Sequence, residues 1–302
     1  MKIIITGGCG YVGTELTKFL LSKGHFIKVI DTQWFGNYLL SNKRLKIIKK
    51  DIRQISEKDL VGYERIIHLA NIANDLSAIL NVNLSWDVNV LAIKRLVEKS
   101  IAAGIKQFIY SSSGSVYGIR KEKKVVESTD LTPISIYNKT KMIAERTLIS
   151  YQDKIKIHCI RPATVCGYSD KMRLDLTVNA LTFSALKNKK IIVHGGKQVR
   201  PNVNIKDLIN IFYFFLKNKS LQTGFYNAGF ENMSVLKIAK KVSQIIPSKI
   251  EIKKIFDPRH YYLDSTKLIK EGFKPNYSVE NAIIELKNKY KEKKIFNNIN
   301  FK

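Results

Sequence analysis

Short apolar runs alternate with longer amphipathic stretches through the first half of this 302-residue chain. Ile3-Ile4-Ile5, Phe26-Ile27-Lys28-Val29-Ile30, Leu45-Lys46-Ile47-Ile48, Arg65-Ile66-Ile67-His68-Leu69, Lys106-Gln107-Phe108-Ile109-Tyr110 and Lys156-Ile157-His158-Cys159-Ile160 each have the length and β-branched content of a buried strand. Between them, apolar residues recur at three- and four-residue steps. Val12, Leu16, Phe19 and Leu20 follow the first run. Val88, Leu91, Ala92, Leu96 and Val97 line one face of a helix over 85–103, and another helix is predicted over 134–151. Strands alternating with helices predict an α/β fold with a doubly wound parallel sheet. Right-handed crossovers then bring the C-terminal strand ends to one edge, where ligands bind.

From about Arg161 the pattern loosens. Strands are predicted at 191–193, 224–227 and 250–255, and helices at 207–216, 235–245 and 279–293. In the last, Val279, Ala282, Ile283, Leu286 and Tyr290 share one face. The expectation is a first domain over 1–165 and a smaller mixed α/β lobe over 166–302, interleaved with it. The Asn-rich tail, 296–302, is expected to fray or lie on the surface.

Composition changes this picture little. The apolar share of 45% is that of an ordinary globule. No apolar run approaches the roughly 20 residues that span a bilayer. The N-terminal run leads straight into a glycine turn and does not resemble a signal peptide. Cys9, Cys159 and Cys166 have no metal spacing and make no disulfide framework, so a reduced cytoplasm is the expected home. The net charge is +27, but lysines are spread over nearly every segment. Nucleic-acid binders cluster Lys and Arg on one face, so no nucleic-acid partner is expected. Such a field would still steer an acidic small ligand inward.

The chemistry begins at Thr6-Gly7-Gly8-Cys9-Gly10-Tyr11-Val12-Gly13, where the first strand turns into the first helix. Gly7 permits a tight turn, Gly10 lets a pyrophosphate approach bare backbone, and Gly13 lets helix and strand pack closely. The helix N-terminus offers unpaired N–H groups to phosphates. Asp31 ends the second strand at about the 20-residue spacing of a ribose-binding acid. A carboxylate there repels a 2′-phosphate and favours NAD over NADP.

A second constellation lies further on. Tyr110-Ser111-Ser112-Ser113-Gly114-Ser115-Val116-Tyr117-Gly118 closes the fifth strand, and Tyr137 and Lys141 sit four apart on one helical face. An ammonium near a phenol favours the phenolate and brings its pKa down from about 10. The phenol then serves as a general base for a hydroxyl proton.

These motifs together resemble the extended short-chain dehydrogenase/reductase family, in its NAD-dependent nucleotide-sugar epimerase/dehydratase branch, over nearly the whole chain. The resemblance implies a Rossmann-like sheet with a C-terminal substrate lobe. It assigns Gly7, Gly10, Tyr11, Val12, Gly13 and Asp31 to the cofactor. Asp51-Ile52-Arg53 resembles the segment that contacts adenine, and His68-Leu69-Ala70 the strand end beside the cofactor. Ser113, Tyr137 and Lys141 match the catalytic residues. Arg161-Pro162-Ala163-Thr164-Val165 resembles the loop under the nicotinamide, which adds Pro162 to the cofactor set. On the substrate side it assigns Asn179, Arg200 and Arg259 to the diphosphate, where planar guanidinium groups suit paired phosphate oxygens. Asn71, Cys166 and Asn204 depart from the family pattern, where Ala, Tyr and His are usual; Asp207 keeps to it.

The relatives that dehydrate their sugar carry an Asp-Glu pair just after the catalytic Ser or Thr. Here Gly114 and Ser115 stand in those places, and neither does acid–base work, which argues against 4,6-dehydration. The resemblance therefore implies NAD-dependent oxidation at C4 of a nucleotide-diphosphate sugar, with net 4-epimerisation. A net 4-dehydrogenase or 4-ketoreductase is the alternative, and a non-catalytic NAD sensor an alternative of another class. It also implies a homodimer built on the helices around 85–103 and 134–151. Met172–Leu176 weakly suggests surface polysaccharide synthesis. No metal site is expected.

Overall fold

The computed structural model describes residues 1–120, 124–255 and 260–292. In chain order, β1 (Lys2–Thr6) leads to α1 (Tyr11–Ser22), β2 (Phe26–Asp31) and β3 (Leu45–Lys49). Then come β4 (Arg65–His68), α2 (Asp75–Leu80), α3 (Val82–Trp86), a π turn (Asp87–Leu91) and α4 (Ala92–Ala102). After β5 (Gln107–Ser111) and a 3₁₀ turn (Gly114–Tyr117) follow α5 (Ile136–Ile149), β6 (Lys156–Pro162) and β7 (Thr164–Cys166). The remaining elements are α6 (Thr177–Asn188), β8 (Lys190–His194), β9 (Val199–Asn204), α7 (Ile205–Lys217), β10 (Gly224–Ala228) and β11 (Glu231–Ser234). The chain continues through α8 (Val235–Ile245), β12 (Lys249–Lys253), α9 (Thr266–Lys270) and α10 (Val279–Lys291).

Contacts group the chain into two units. The first comprises 1–118, 131–161 and 212–226; the second comprises 119–130, 162–211 and 227–302. The first carries a seven-stranded sheet in the order β10-β6-β5-β4-β1-β2-β3. β1 pairs in parallel with β2 on one side and β4 on the other, and the β2/β3, β4/β5 and β5/β6 pairs are also parallel. The interior strands are apolar on both faces because helices cover both; Ile3, Ile4, Ile5, Ile66 and Ile67 have no exposed surface. Each such side chain contributes about 1.5–3 kcal/mol of burial. On one face Ile4, Ile66, Phe108, Tyr110 and Ile157 pack against Val88, Ile93, Leu96 and Val97, with Ala144 and Leu148 from α5.

The strand order reverses between β1 and β4, so the crevice of this Rossmann-like sheet opens at their C-terminal ends. There Thr6 is the register partner of His68, and the Thr6 hydroxyl lies 2.6 Å from His68 Nδ1.

The predicted helix over 85–103 is three pieces. α3 ends at Trp86, the π turn inserts a wider turn, and α4 resumes at Ala92. The sequence periodicity reads as one straight helix, but Leu91, which it places on the apolar face, is half-exposed while Val88, Ala92, Leu96 and Val97 are buried.

The second unit has a three-stranded sheet, β11-β9-β7, and a parallel pair, β12-β8. α6, α8 and α10 pack around Cys166, Val178, Val193, Ile238, Val242 and Ile283. The expectations for Arg259 and for the tail at 296–302 lie outside the described residues. Among the described residues no helix is long and apolar enough to cross a membrane.

Candidate active site

The glycine turn is shaped by contacts that leave no room for side chains at two positions. Gly7 has φ +73°, and a Cβ on it would stand 2.5 Å from the Ala70 nitrogen. A Cβ on Gly13 would overlap the Gly7 carbonyl oxygen. Gly10 caps α1 with extended backbone and no side-chain cap, so the first-turn N–H groups stay available. A Cβ on Gly10 would meet only Gly7 O, at 3.4 Å, so its outer side is bare backbone. Tyr11 is buried, and Val12 is half-buried beside it. Asp31 at the end of β2 accepts from Cys9 N (3.0 Å) and from Gln33 N (2.7 Å), which ties the acid to the turn.

At and past the ends of β4 and β5, buried polar atoms lack protein partners. They are His68 Nε2, both amide atoms of Asn71 and the Ser112 hydroxyl. Leu69 N donates to Thr6 O at 2.9 Å and seats Leu69 and Ala70 against β1. A bare helix N-terminus and a carboxylate at the end of β2, with orphaned polar groups past β4 and β5 on the other side of β1, fit a dinucleotide laid along the sheet edge. Asp51 is differently placed from a free adenine contact. It caps the Ile52–Gln54 turn and accepts from the Arg53 guanidinium, whose other nitrogen reaches Asp87 at 3.0 Å. That hydrogen bond holds the Asp51 carboxyl below the usual carboxylate range. Ile52 packs into the core of the first unit.

α5 starts at Ser135, whose hydroxyl accepts from Asn138 N (3.1 Å) and donates to Asp75 (2.6 Å). From this start Tyr137, Lys141 and Glu145 follow one helical stripe. Lys141 is 3% exposed, and its ammonium donates to Ser111 O at 2.7 Å. It sits 4.7 Å from the Tyr110 ring and 5.7 Å from the Tyr137 ring, within cation–π range of both. Burial pushes the Lys141 ammonium down to about 7, opposed by the nearby Glu145 charge. Ser113, at the end of β5, caps the 3₁₀ turn; its hydroxyl accepts from Ser115 N (3.2 Å) and lies 2.7 Å from Ser115 Oγ. Pro162 closes β6, half-buried.

No local spacing in the sequence marks Asn89. It lies inside the π turn, fully buried. Its amide accepts from Ile72 N (2.8 Å) and donates to Ile72 O (3.2 Å) and to Thr140 Oγ1 (3.1 Å). Thr140 in turn donates to Tyr137 O at 2.8 Å. Asn89 thus links the segment after β4 to the Tyr137 turn, a role that only three-dimensional proximity reveals.

In the second unit, Asn179 is buried in the first turn of α6. Its amide accepts from Gly167 N and donates to Arg173 O, both at 3.0 Å, so it braces the 167–173 loop. Arg200 is half-buried on β9, where its register partner is Met233 of β11. Cys166 is fully buried and burial pushes its thiol well up, which keeps it unreactive. Asn204 and Asp207 are bonded within the unit, to Ser278 O and to the Asn276 and Tyr277 amides. Among the described residues no cluster of His, Cys, Asp and Glu could hold a metal.

A parallel sheet with a glycine turn at its switch point, and a Tyr–Lys helix beside a serine-ended strand, are features of extended short-chain dehydrogenases/reductases. The chain belongs to the NAD dependent epimerase/dehydratase family, whose profile matches residues 3–229. It is 27% identical to the UDP-glucose 4-epimerase of Lactobacillus helveticus, over 94% of this chain and 95% of that one. Its fold is similar to that of the UDP-N-acetylglucosamine 4-epimerase of Methanobrevibacter ruminantium M1, solved with UDP-N-acetylmuramic acid. The TM-score there is 0.87 at 21% identity, over 95% and 98% of the two chains. DesIV, a dTDP-glucose 4,6-dehydratase of Streptomyces venezuelae solved with NAD, gives the same TM-score of 0.87 at 19% identity, over 98% of each chain. The fold is thus common to epimerases and dehydratases.

Proposed function

We propose that this protein oxidises C4 of a nucleotide-diphosphate sugar with bound NAD and reduces it again, for a net 4-epimerisation. The observation that carries this reading is the stripe of Tyr137 and buried Lys141 on α5, with the Lys141 ammonium bonded to Ser111 O. The cofactor would be held through the α1 N-terminus at Gly10–Gly13, Asp31 at the adenosine ribose, Asp51 and Ile52 on the adenine side, and Leu69, Ala70 and Pro162 along the rest. Bound NAD supplies the hydride acceptor and, on return, the donor.

The chain's own residues then handle the proton. Tyr137 Oη takes it from the sugar 4-hydroxyl. Lys141, while charged, favours the phenolate and so lowers the cost of that transfer. Ser113 donates to the 4-oxygen and holds it in line. Arg200, with Asn179 and Arg259 as the family resemblance assigns them, would receive the diphosphate.

Dehydration of the sugar needs an acid and a base next to Ser113. Gly114 has no side chain, and the Ser115 hydroxyl is engaged with Ser113. The same constellation run in one direction gives a 4-dehydrogenase or 4-ketoreductase. NMR-monitored incubation with UDP-, GDP-, CDP- and dTDP-sugars, with and without added NAD, tests the reading. C4 inversion without net NADH is expected; stoichiometric NADH means a dehydrogenase, and a protein that retains NAD yet converts no sugar nucleotide sinks the proposal. We also infer a homodimer through the 85–103 and 134–151 helices, a placement in keeping with the half-exposed Leu91 and Ile134.

A further inference from the structure

Behind the Tyr137 stripe lies an ion pair with almost no exposed surface: Glu145 is 0% exposed and Arg161 2%. Arg161 Nε donates to Glu145 Oε1 at 2.9 Å and to Oε2 at 3.2 Å, and Nη2 donates to Oε2 at 2.8 Å. The remaining fork does not stop at α5. Nη1 donates to the Tyr117 hydroxyl at 2.7 Å. The guanidinium also lies close to two rings, with Cζ 5.0 Å from the Tyr117 centroid and 4.4 Å from that of Phe225.

The partners belong to the two segments that carry the proton-handling hydroxyls. Glu145 lies one helical turn beyond Lys141 and two beyond Tyr137. Tyr117 is the last residue of the 3₁₀ turn that Ser113 caps. That turn is also held at its far end, because Thr132 donates to Tyr117 O at 2.9 Å and a Cβ on Gly118 would overlap Thr132 O. Arg161 itself continues β6 directly after Ile160, the register partner of Ser111.

A buried ion pair is weak evidence for stability, since well-packed apolar residues in its place are often no worse. A planar, always charged fork that bonds oxygens on two separate elements does what apolar packing cannot, and what a lysine's single nitrogen does poorly. We propose that Arg161 is a positioning residue: bound to Glu145 on the Tyr137 helix and to Tyr117 on the Ser113 turn, it fixes the two hydroxyls relative to each other. The proposal rests on the functional reading above only in assigning those hydroxyls to catalysis.

Two variants separate this from a role in folding alone. Tyr117→Phe keeps the ring and removes the hydroxyl to which Nη1 donates. Arg161→Lys keeps the charge for Glu145 and gives up the fork. Both are expected to lower kcat by roughly ten- to a hundredfold, with KM and bound NAD unchanged, because a small misplacement of reacting groups costs that much. The double variant is expected to be no worse than Arg161→Lys alone, since both remove one tether. Amide hydrogen exchange over 113–118 is expected to speed up in Tyr117→Phe. A folded Tyr117→Phe protein with wild-type kcat, or fully additive losses in the double variant, overturns the proposal. If the wild type converts no sugar nucleotide, the functional reading falls and the exchange measurement still decides the tether: faster exchange upholds it, and unchanged exchange overturns it.

Discussion

The Lys141 ammonium and the Ser111 carbonyl oxygen are 2.7 Å apart, one helix to one strand end. This bond holds a buried cation beneath Tyr137, where it has few other places to go. A flexible, solvated lysine would offer the phenol a screened and mobile charge. The same lysine, buried and pinned, offers a fixed one.

Removing either the Tyr137 phenol or the Lys141 ammonium should therefore stop the chemistry while sparing the cofactor. Tyr137→Phe and Lys141→Met are each expected to lower kcat by about 10²–10⁴-fold, the usual worth of a positioned acid–base group. NAD retained after gel filtration should match the wild type for Tyr137→Phe. A Tyr137→Phe protein within threefold of wild-type kcat would show that another group takes the proton.

The Asp31 carboxylate accepts from Cys9 N and Gln33 N, and under the proposed function it would also take the ribose. Asp31→Ala should weaken NAD binding by at least tenfold and narrow the preference for NAD over NADP. Calorimetric Kd values for both cofactors check this. An unchanged ratio of the two would place the selectivity elsewhere.

Gly13 is closed to any side chain, because the nearest obstacle is the Gly7 carbonyl, which is backbone and cannot swing aside. Gly13→Ala should cost about 1–3 kcal/mol, as other overpacked sites do. It should also push the glycine turn off its NAD-binding shape. The urea midpoint reads the first effect and NAD content the second; a variant normal in both would mean the turn is looser than its contacts imply.

His68 gives a pH dependence of definite sign. Burial, with a smaller contribution from the Lys141 charge, pushes its pKa down to about 3 from the usual 6.5. Between those values the unfolded chain binds a proton that the native state refuses. Stability thus falls as pH drops from about 6.5 toward 3, and the effect is absent above 6.5. Urea titrations at pH 7 and pH 5 should show the loss, and His68→Asn should flatten it. Equal slopes for the two proteins would assign the acid lability to other groups.

Much of the first unit was readable in advance because its strands are apolar on both faces and its turns carry glycine and capping residues. The strands at Ile3, Ile27, Ile66, Phe108 and Ile157 fell where their apolar runs lie, and Tyr137 and Lys141 came together on α5 as their spacing required. The second unit was harder. β9 reads Val-Arg-Pro-Asn-Val-Asn: Val199, Pro201 and Val203 alternate with polar residues, but a proline in the middle speaks against a strand and buried asparagines bonded to backbone fill the other face, so the sequence does not predict one there. α6 and α2 were also missed; in α2, Leu76, Ile79 and Leu80 face outward and give no core stripe. Within the site, Asn89, Glu145 and Tyr117 gave no signal, because their partners lie on other elements and no local spacing encodes them.

The π turn at Asp87–Leu91 makes the chain there intolerant of a change in length. Deleting one residue between Trp86 and Ala92 would let an ordinary α-helix run through. The flanking segments would keep nearly their present facing, because a π turn absorbs one extra residue, but residues inside the turn would point in new directions. Asn89 could no longer reach both Ile72 and Thr140. Point substitutions on that outer surface should be absorbed easily, whereas a single-codon deletion should uncouple the segment following β4 from the helix bearing the phenol.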